Sequence, residues 1–142
     1  MANEIVASES NRAVVDEFRA NAGKVGGRYE GRPLLLLTMT GRKTGRTLVT
    51  PVMYLADGDS YCIFATKGGA PQHPDWYLNL VAQPRVVVEV GAERFEAQAT
   101  VVGPQERDAL YAKQASLFSQ FADYAKKTTR TIPVVRLRRA NP

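Results

Sequence analysis

Leu34-Leu35-Leu36-Leu37-Thr38-Met39-Thr40, then Gly41-Arg42-Lys43-Thr44-Gly45-Arg46, then Thr47-Leu48-Val49-Thr50-Pro51-Val52-Met53-Tyr54-Leu55: an apolar run, a basic turn and a second β-rich run follow one another without a break. The first run is continuous and apolar, the pattern of a strand buried on both faces. Gly41 and Gly45 bracket a reversal, so the two runs read as neighbouring antiparallel strands. Pro51 cannot donate to a ladder, which predicts a bulge or an edge in the second strand. Downstream, Ala56-Asp57-Gly58-Asp59 is a hairpin loop, and Ser60 to Thr66 is the next strand, ending at Gly68-Gly69. Pro74 to Leu80 reads as a short helix with proline in its first turn. Arg85 to Val90 and Glu93 to Val102 alternate as a hairpin turning at Gly91-Ala92. Pro104 opens one long helix with Leu110, Leu117, Phe121 and Tyr124 along a face, and Ile132 to Leu137 is a final strand.

Upstream, residues 1–8 read as a flexible leader, and Ser10 caps a short helix carrying Val14, Val15 and Phe18. Residues 23–33 hold Gly23, Gly26, Gly27, Gly31 and Pro33 and read as a loop. Strands joined mostly by hairpins, with helices at the start, middle and end, predict an antiparallel barrel with appended helices. That is an α+β fold in a single domain spanning residues 1–142.

Charge is unevenly placed. Lys24, Arg28, Arg32, Arg42, Lys43 and Arg46 stand against one acid, Glu30, a surplus of five equal to the formal +5 of the whole chain. The remainder balances, so the positive field is focused on one segment and favours an anionic partner there. Arginine forks and lysine match phosphate or carboxylate, and the glycines let backbone N–H groups face the same anion. The segment is not a Walker loop, because Gly26 to Gly31 is followed by Arg32-Pro33 where lysine and a hydroxyl residue are required. A solvated hairpin tip is the plainer alternative. One histidine, His73, and one cysteine, Cys62, are too few for a zinc cluster or a Ser-His-Asp hydrolase, so no metal is expected. Cys62 follows Tyr61 in an apolar run and reads as a buried, inert thiol. No apolar run of membrane-spanning length and no basic signal-peptide start is present, which predicts a cytoplasmic protein. Arg136, Arg138 and Arg139 alternate with apolar residues as one wet strand face, with no motif for reading nucleic acid.

Two further features carry chemistry. Ala65-Thr66-Lys67-Gly68-Gly69 could let a planar ring lie against backbone, walled by Trp76, the only tryptophan. Phe118, Phe121 and Tyr124, at spacings of three, form a stripe that reads as core or as a ligand wall. Together with the basic turn, Pro51-Val52-Met53-Tyr54, Asp75 to Leu80 and Arg130-Thr131-Ile132-Pro133-Val134, these motifs resemble the deazaflavin-dependent nitroreductases, the mycobacterial-type oxidoreductases that use coenzyme F420. The resemblance covers roughly residues 11–138 with the motifs in the same order.

That resemblance implies a split β-barrel with the reduced deazaflavin against it. Arg42 and Lys43, with the backbone of Thr44 and Gly45, would hold the coenzyme phosphate, with Arg46 and Thr47 beside it. Thr50, Pro51 and Val52 would line one side of the ring, Ala65, Thr66 and Lys67 the other, and Asp75 and Trp76 would complete the pocket. Met53, Phe118, Phe121 and Tyr124 would face the substrate, with the Tyr124 hydroxyl as proton donor. The implied reaction is hydride transfer to a quinone, enone or nitroaromatic acceptor. Relatives that activate nitroimidazoles carry tyrosines where this chain has Phe118 and Phe121, and some carry an arginine where it has Leu48. An FMN-binding split-barrel oxidoreductase and a non-catalytic F420 carrier are the alternatives. The protein is expected to be a monomer. Its first helix, with Val14, Val15 and Phe18 beside Arg12 and Arg19, is the one candidate for weak association with the inner membrane surface.

Overall fold

The computed structural model describes residues 4–6 and 8–140. Strands β1 (Ile5–Val6), β2 (Leu34–Thr40), β3 (Thr47–Asp57), β4 (Ser60–Phe64), β5 (Arg85–Val90), β6 (Glu93–Val101) and β7 (Val134–Arg139) form one sheet. Its order is β1-β3-β2-β5-β6-β7-β4, and β4 also pairs with β3, which closes β2 to β7 into a six-stranded barrel. All pairings in the barrel are antiparallel; only β1 runs parallel to its neighbour. The expected α+β barrel is therefore observed. Helices α1 (Glu9–Ala20), α2 (Asp75–Ala82), α3 (Pro104–Leu117) and α4 (Gln120–Lys127) pack around it, with short 3-10 turns at Gly27–Tyr29 and Lys67–Gly69.

Alternation along the strands sorts the core. Leu35, Leu37, Met39, Val86, Val88, Ala97, Val135 and Leu137 fill the barrel, and Leu80 of α2 joins them. Leu34 and Leu36 point outward from β2, where Val15 and Phe18 of α1 cover them. This cover explains why β2 is apolar without interruption and why nearly all of it is buried. Over β4 and β7 lies a third cluster, in which Leu110 and Tyr111 of α3 and Phe121 of α4 meet Cys62, Phe64 and Val134. Cys62 is fully buried there, and burial pushes its thiol up to about 11, as an inert cysteine requires.

β3 decides where the barrel opens. Its first half pairs with β2, while Tyr54–Asp57 pairs with β4 and Leu48–Val49 with β1. Residues 50–53 thus have a strand partner on the β2 side only. The Tyr54 N–H donates to the Pro33 carbonyl at 3.1 Å and the Gly41 N–H to the Arg46 carbonyl at 2.8 Å, so even-numbered residues turn their polar groups to β2. Pro51 is odd-numbered; its missing donor faces the open edge, and no ladder bond is lost.

Several expectations are corrected. Ile5 and Val6, inside the expected leader, pair in register with Leu48 and Val49; residues 1–3 and 7 lie outside the described residues. Ser8, not Ser10, caps α1, its hydroxyl accepting from the Asn11 N–H at 3.1 Å. The single long helix after Pro104 is two helices, because Phe118 leaves helical geometry and Ser119 restarts it. Leu117 is consequently 57% exposed, while the Tyr111 hydroxyl donates to the Phe121 carbonyl at 2.6 Å and ties α4 to α3. In α1 the apolar residues named for a membrane surface are taken up by the barrel: Val15 and Phe18 are buried and Val14 is partly covered, leaving Arg12, Asp16, Glu17 and Arg19 outward. Arg19 bridges Glu89 on β5 and Glu4 next to β1, and the Arg19 guanidinium holds the Glu4 carboxyl below its usual range.

Candidate active site

Two cavities adjoin at the first residues of α2. The larger, about 650 Å³, lies against the open edge of β3, and Pro51, Val52, Met53, Thr66, Lys67, Trp76, Phe121 and Tyr124 line it. The smaller, about 310 Å³, is lined by Arg42, Lys43, Thr44 and Arg46 of the basic turn together with Leu48, Asp75 and Asn79. Trp76 belongs to the first and Asp75 to the second, so consecutive residues separate a ring-sized space from a cationic one.

The turn owes its shape to local bonds. Gly45, at φ +72°, donates to the Gly41 carbonyl at 2.9 Å, and the Thr44 hydroxyl accepts from the Arg46 N–H at 3.2 Å. Asn79 then anchors it. Its Oδ1 accepts from the Arg42 backbone N–H at 3.0 Å and from the Arg42 guanidinium at 2.9 Å, while the side chain is buried in α2. Arg42 also reaches Asp75, 3.4 Å from its carboxylate, but Asp75 is 85% exposed, so this pair is weak. Arg42 is thereby fixed in direction while Lys43, Thr44 and Arg46 stay exposed.

The opposite wall depends on backbone strain. Lys67 sits at φ +46°, an uncommon region for a residue with a Cβ, and Gly68 and Gly69 continue at +62° and +85°. Arg130 holds this bend: its guanidinium donates to the carbonyls of Ala65 (3.1 Å), Thr66 (2.9 Å) and Ala70 (3.0 Å) and contacts His73 Nδ1 at 3.0 Å. Burial, then the adjacent Arg130 charge, lowers the His73 pKa, favouring the neutral ring that can accept from Arg130. Gly69 is needed because a Cβ there would come within 2.8 Å of the Tyr124 carbonyl. The bend is thus seated against α4, which presents Phe121 and Tyr124 to the cavity with ring centroids 5.4 Å apart.

Most residues expected at the site are therefore gathered, in two groups. Gly45, Thr47 and Thr50 lie on the connecting strand and turn without lining either cavity. Ala65 is fully buried, so it supports the wall from behind instead of forming it. Phe118 packs beside the cluster under α3 and α4, since the helix break turns it out of the Phe121–Tyr124 face. Several contributors were not foreseen as site residues: Arg28 and Arg32, with Tyr29, Leu34, Phe64 and Gln120, line the larger cavity, and Asn79 and Arg130 hold its neighbours in place. The charge surplus of residues 24–46 was the visible signal for the first two. Asn79 and Arg130 stand in motifs that carry the family resemblance, but their bracing role is not local, because their partners lie 37 and about 60 residues away.

A family model for F420H(2)-dependent quinone reductase matches residues 10–139. The chain belongs to that family. The F420H(2)-dependent quinone reductase Rv1261c of Mycobacterium tuberculosis is 41% identical over 128 residues, spanning 86% of this chain and 85% of its own. Among solved structures, an F420-H2 dependent reductase, FDR-A, aligns with a TM-score of 0.68 at 34% identity, over 75% of this chain and 94% of its own. Another, described as a domain-swapped dimer, reaches 0.70 at 31% identity, over 89% of this chain and 95% of its own. The barrel is accordingly the split barrel of F420-dependent reductases, and the family's cofactor is coenzyme F420.

Proposed function

We propose that this family member binds reduced coenzyme F420 across the two adjoining cavities and reduces quinones, with enones and nitroaromatics as further acceptors. The carrying observation is the juxtaposition itself: a space walled by Trp76, Pro51 and Tyr124 beside a turn bearing Arg42, Lys43 and Arg46. These residues fit a coenzyme made of a planar deazaflavin and an anionic phosphate tail. When bound, the reduced coenzyme supplies the hydride; the protein supplies orientation and a shielded environment.

Arg42 and Lys43, with the backbone N–H of Thr44, hold the phosphate; Gly45, whose N–H is bonded to the Gly41 carbonyl, shapes the turn around it, and Arg46 and Thr47 flank it. Pro51 and Val52, with Thr50 preceding them, border the ring on the open edge of β3, and Thr66 and Lys67, backed by Ala65, border it on the strained bend. Asp75 and Trp76 stand between ring and phosphate. Met53, Phe121 and Tyr124 face the acceptor, with Phe118 behind them, and the Tyr124 hydroxyl is placed to deliver a proton, the other phenol of the cavity, Tyr29, being engaged by Arg28.

Spectroscopic titration tests this directly. Tight binding of F420, weak binding of FMN and turnover of menadione with reduced F420 are expected. The double variant Arg42→Ala/Lys43→Ala should lose coenzyme affinity by about 2–4 kcal/mol, the scale of losing charge-assisted contacts, with unchanged far-UV circular dichroism. Preferential binding of FMN would replace the coenzyme assignment, and binding without turnover would make the protein a carrier.

A further inference from the structure

The surplus of positive charge does not form one patch. Arg42, Lys43 and Arg46 line the smaller cavity, whereas Arg28 and Arg32 line the larger one, together with Lys67 from the strained bend. The larger cavity contains no aspartate or glutamate in its lining. Among the described residues, Arg28 bonds only its neighbour, the Tyr29 hydroxyl at 3.0 Å, and stacks over that ring at 4.9 Å. Arg32 and Lys67 make no side-chain hydrogen bond or ion pair among the described residues. By contrast, the guanidinium of Arg42 is held by Asn79 at 2.9 Å and only weakly by the exposed Asp75. All three are exposed at the rim of a chamber whose lining is otherwise uncharged and largely aromatic or apolar, with Thr66 and Gln120 as its neutral polar members, so their fields add over that space.

Building on the coenzyme placement above, we propose that Arg28 and Arg32, with Lys67, select acceptors that carry an anionic group: quinones bearing a carboxylate or a comparable anion. In that placement the coenzyme's phosphate and tail leave through the basic turn on the far side of Asp75–Trp76, and the Arg28–Arg32 rim faces the acceptor. Met53, Phe121 and Tyr124 take the quinone ring, and the guanidinium forks take the charged substituent, which sets the ring's direction as well as its affinity. Both arginines sit in the glycine-rich stretch around the 3-10 turn at Gly27–Tyr29, which Tyr29 and the Gly26 N–H to Glu17 bond at 2.9 Å seat against α1 and the outer face of β2, so their direction is set outside the barrel strands.

A matched pair of acceptors tests this: 3-(1,4-naphthoquinon-2-yl)propanoate and its neutral propanamide, whose saturated spacer keeps the quinones electronically alike. The wild-type protein with reduced F420 should favour the propanoate about tenfold in kcat/KM at low ionic strength, with the preference shrinking as salt rises. Arg28→Gln/Arg32→Gln should bring the ratio to about one, and Arg28→Lys/Arg32→Lys should retain most of it. Calorimetric titration of both compounds into the protein loaded with oxidised F420, where no hydride can move, should show the same preference in binding. Equal binding of the two compounds would overturn the inference, and so would loss of coenzyme affinity in the glutamine variant, which would assign these cations to the coenzyme tail. Absence of turnover with a preserved binding preference would sink the reductase reading and leave the anion selection standing.

Discussion

Asn79 is the sharpest place to test how the basic turn works. Its Oδ1 accepts two hydrogen bonds from Arg42, at 3.0 Å from the backbone and 2.9 Å from the guanidinium, and the side chain is only 4% exposed. Replacement by alanine removes one neutral bond worth about 1 kcal/mol and one to a charged group worth about 1.5–3 kcal/mol. Solvent reaches the exposed turn and returns part of that loss, leaving roughly 2 kcal/mol of destabilisation. For a chain of this length that lowers Tm by roughly 6–10 °C. Arg42 would also lose its fixed direction, and coenzyme affinity should fall by about tenfold, or 1.4 kcal/mol. Asn79→Asp separates the two effects. The carboxylate keeps an acceptor for Arg42 and should recover most of the Tm, yet it places a negative charge beside the anion site. Affinity in that variant should drop at least as far as in the alanine variant. Thermal unfolding and a fluorescence titration of F420 read the two quantities independently. If Asn79→Asp bound the coenzyme as tightly as the wild type, Arg42 could not be facing the phosphate, and the reasoning would fail.

Further outcomes follow from other contacts. Asp75→Asn removes the one carboxylate beside Arg42 and should tighten coenzyme binding by about two- to threefold at low salt, an effect that vanishes at high salt; an unchanged affinity would show that Asp75 does not temper the site. Gly69→Ala meets the Tyr124 carbonyl and should cost more than about 2 kcal/mol, whereas Gly68→Ala, with open space around its Cβ, should cost about 1 kcal/mol; equal losses in denaturant titrations would refute the close approach. The His73 pKa is depressed on folding, so the unfolded chain binds the proton more readily. Its contribution to stability is complete above the ordinary value of 6.5 and is lost as pH falls through 6.5 towards the folded value. His73→Gln should flatten that limb of the Tm-against-pH curve while leaving untouched the acid loss below the ordinary carboxylate range, where Glu4 protonates; a curve identical to the wild type would dispose of the His73 contribution.

Different parts of the molecule were legible for different reasons. The barrel strands could be read because each carries its own periodicity and its own stop: the Leu34–Thr40 run, the Asp57–Gly58 turn, the Gly91–Ala92 turn. The helix after Pro104 was misread as one piece because Leu117 and Phe121 keep helical spacing across the break, and spacing says nothing about whether the backbone between them stays helical. Ile5 and Val6 are too few to register as a strand; only the unpaired edge of β3 makes them one. Ala65 was expected as a wall residue from its place in a motif, but alternation and the Pro133 carbonyl that accepts its N–H at 3.0 Å hold it inside.

The sequence by itself determined the barrel, the concentration of positive charge on the hairpin between β2 and β3, the inert Cys62 and, through its motifs, the family. Those properties are local: they follow from residue type and from neighbours a few positions away. Tertiary structure alone decided that Arg28 and Arg32 border one cavity while Arg42, Lys43 and Arg46 border another, that Asn79 and Arg130 brace the walls, and that residues 50–53 of β3 have a strand partner on one side only. Each of these depends on which strand edges meet and on contacts spanning tens of residues, and a linear pattern has no term for either.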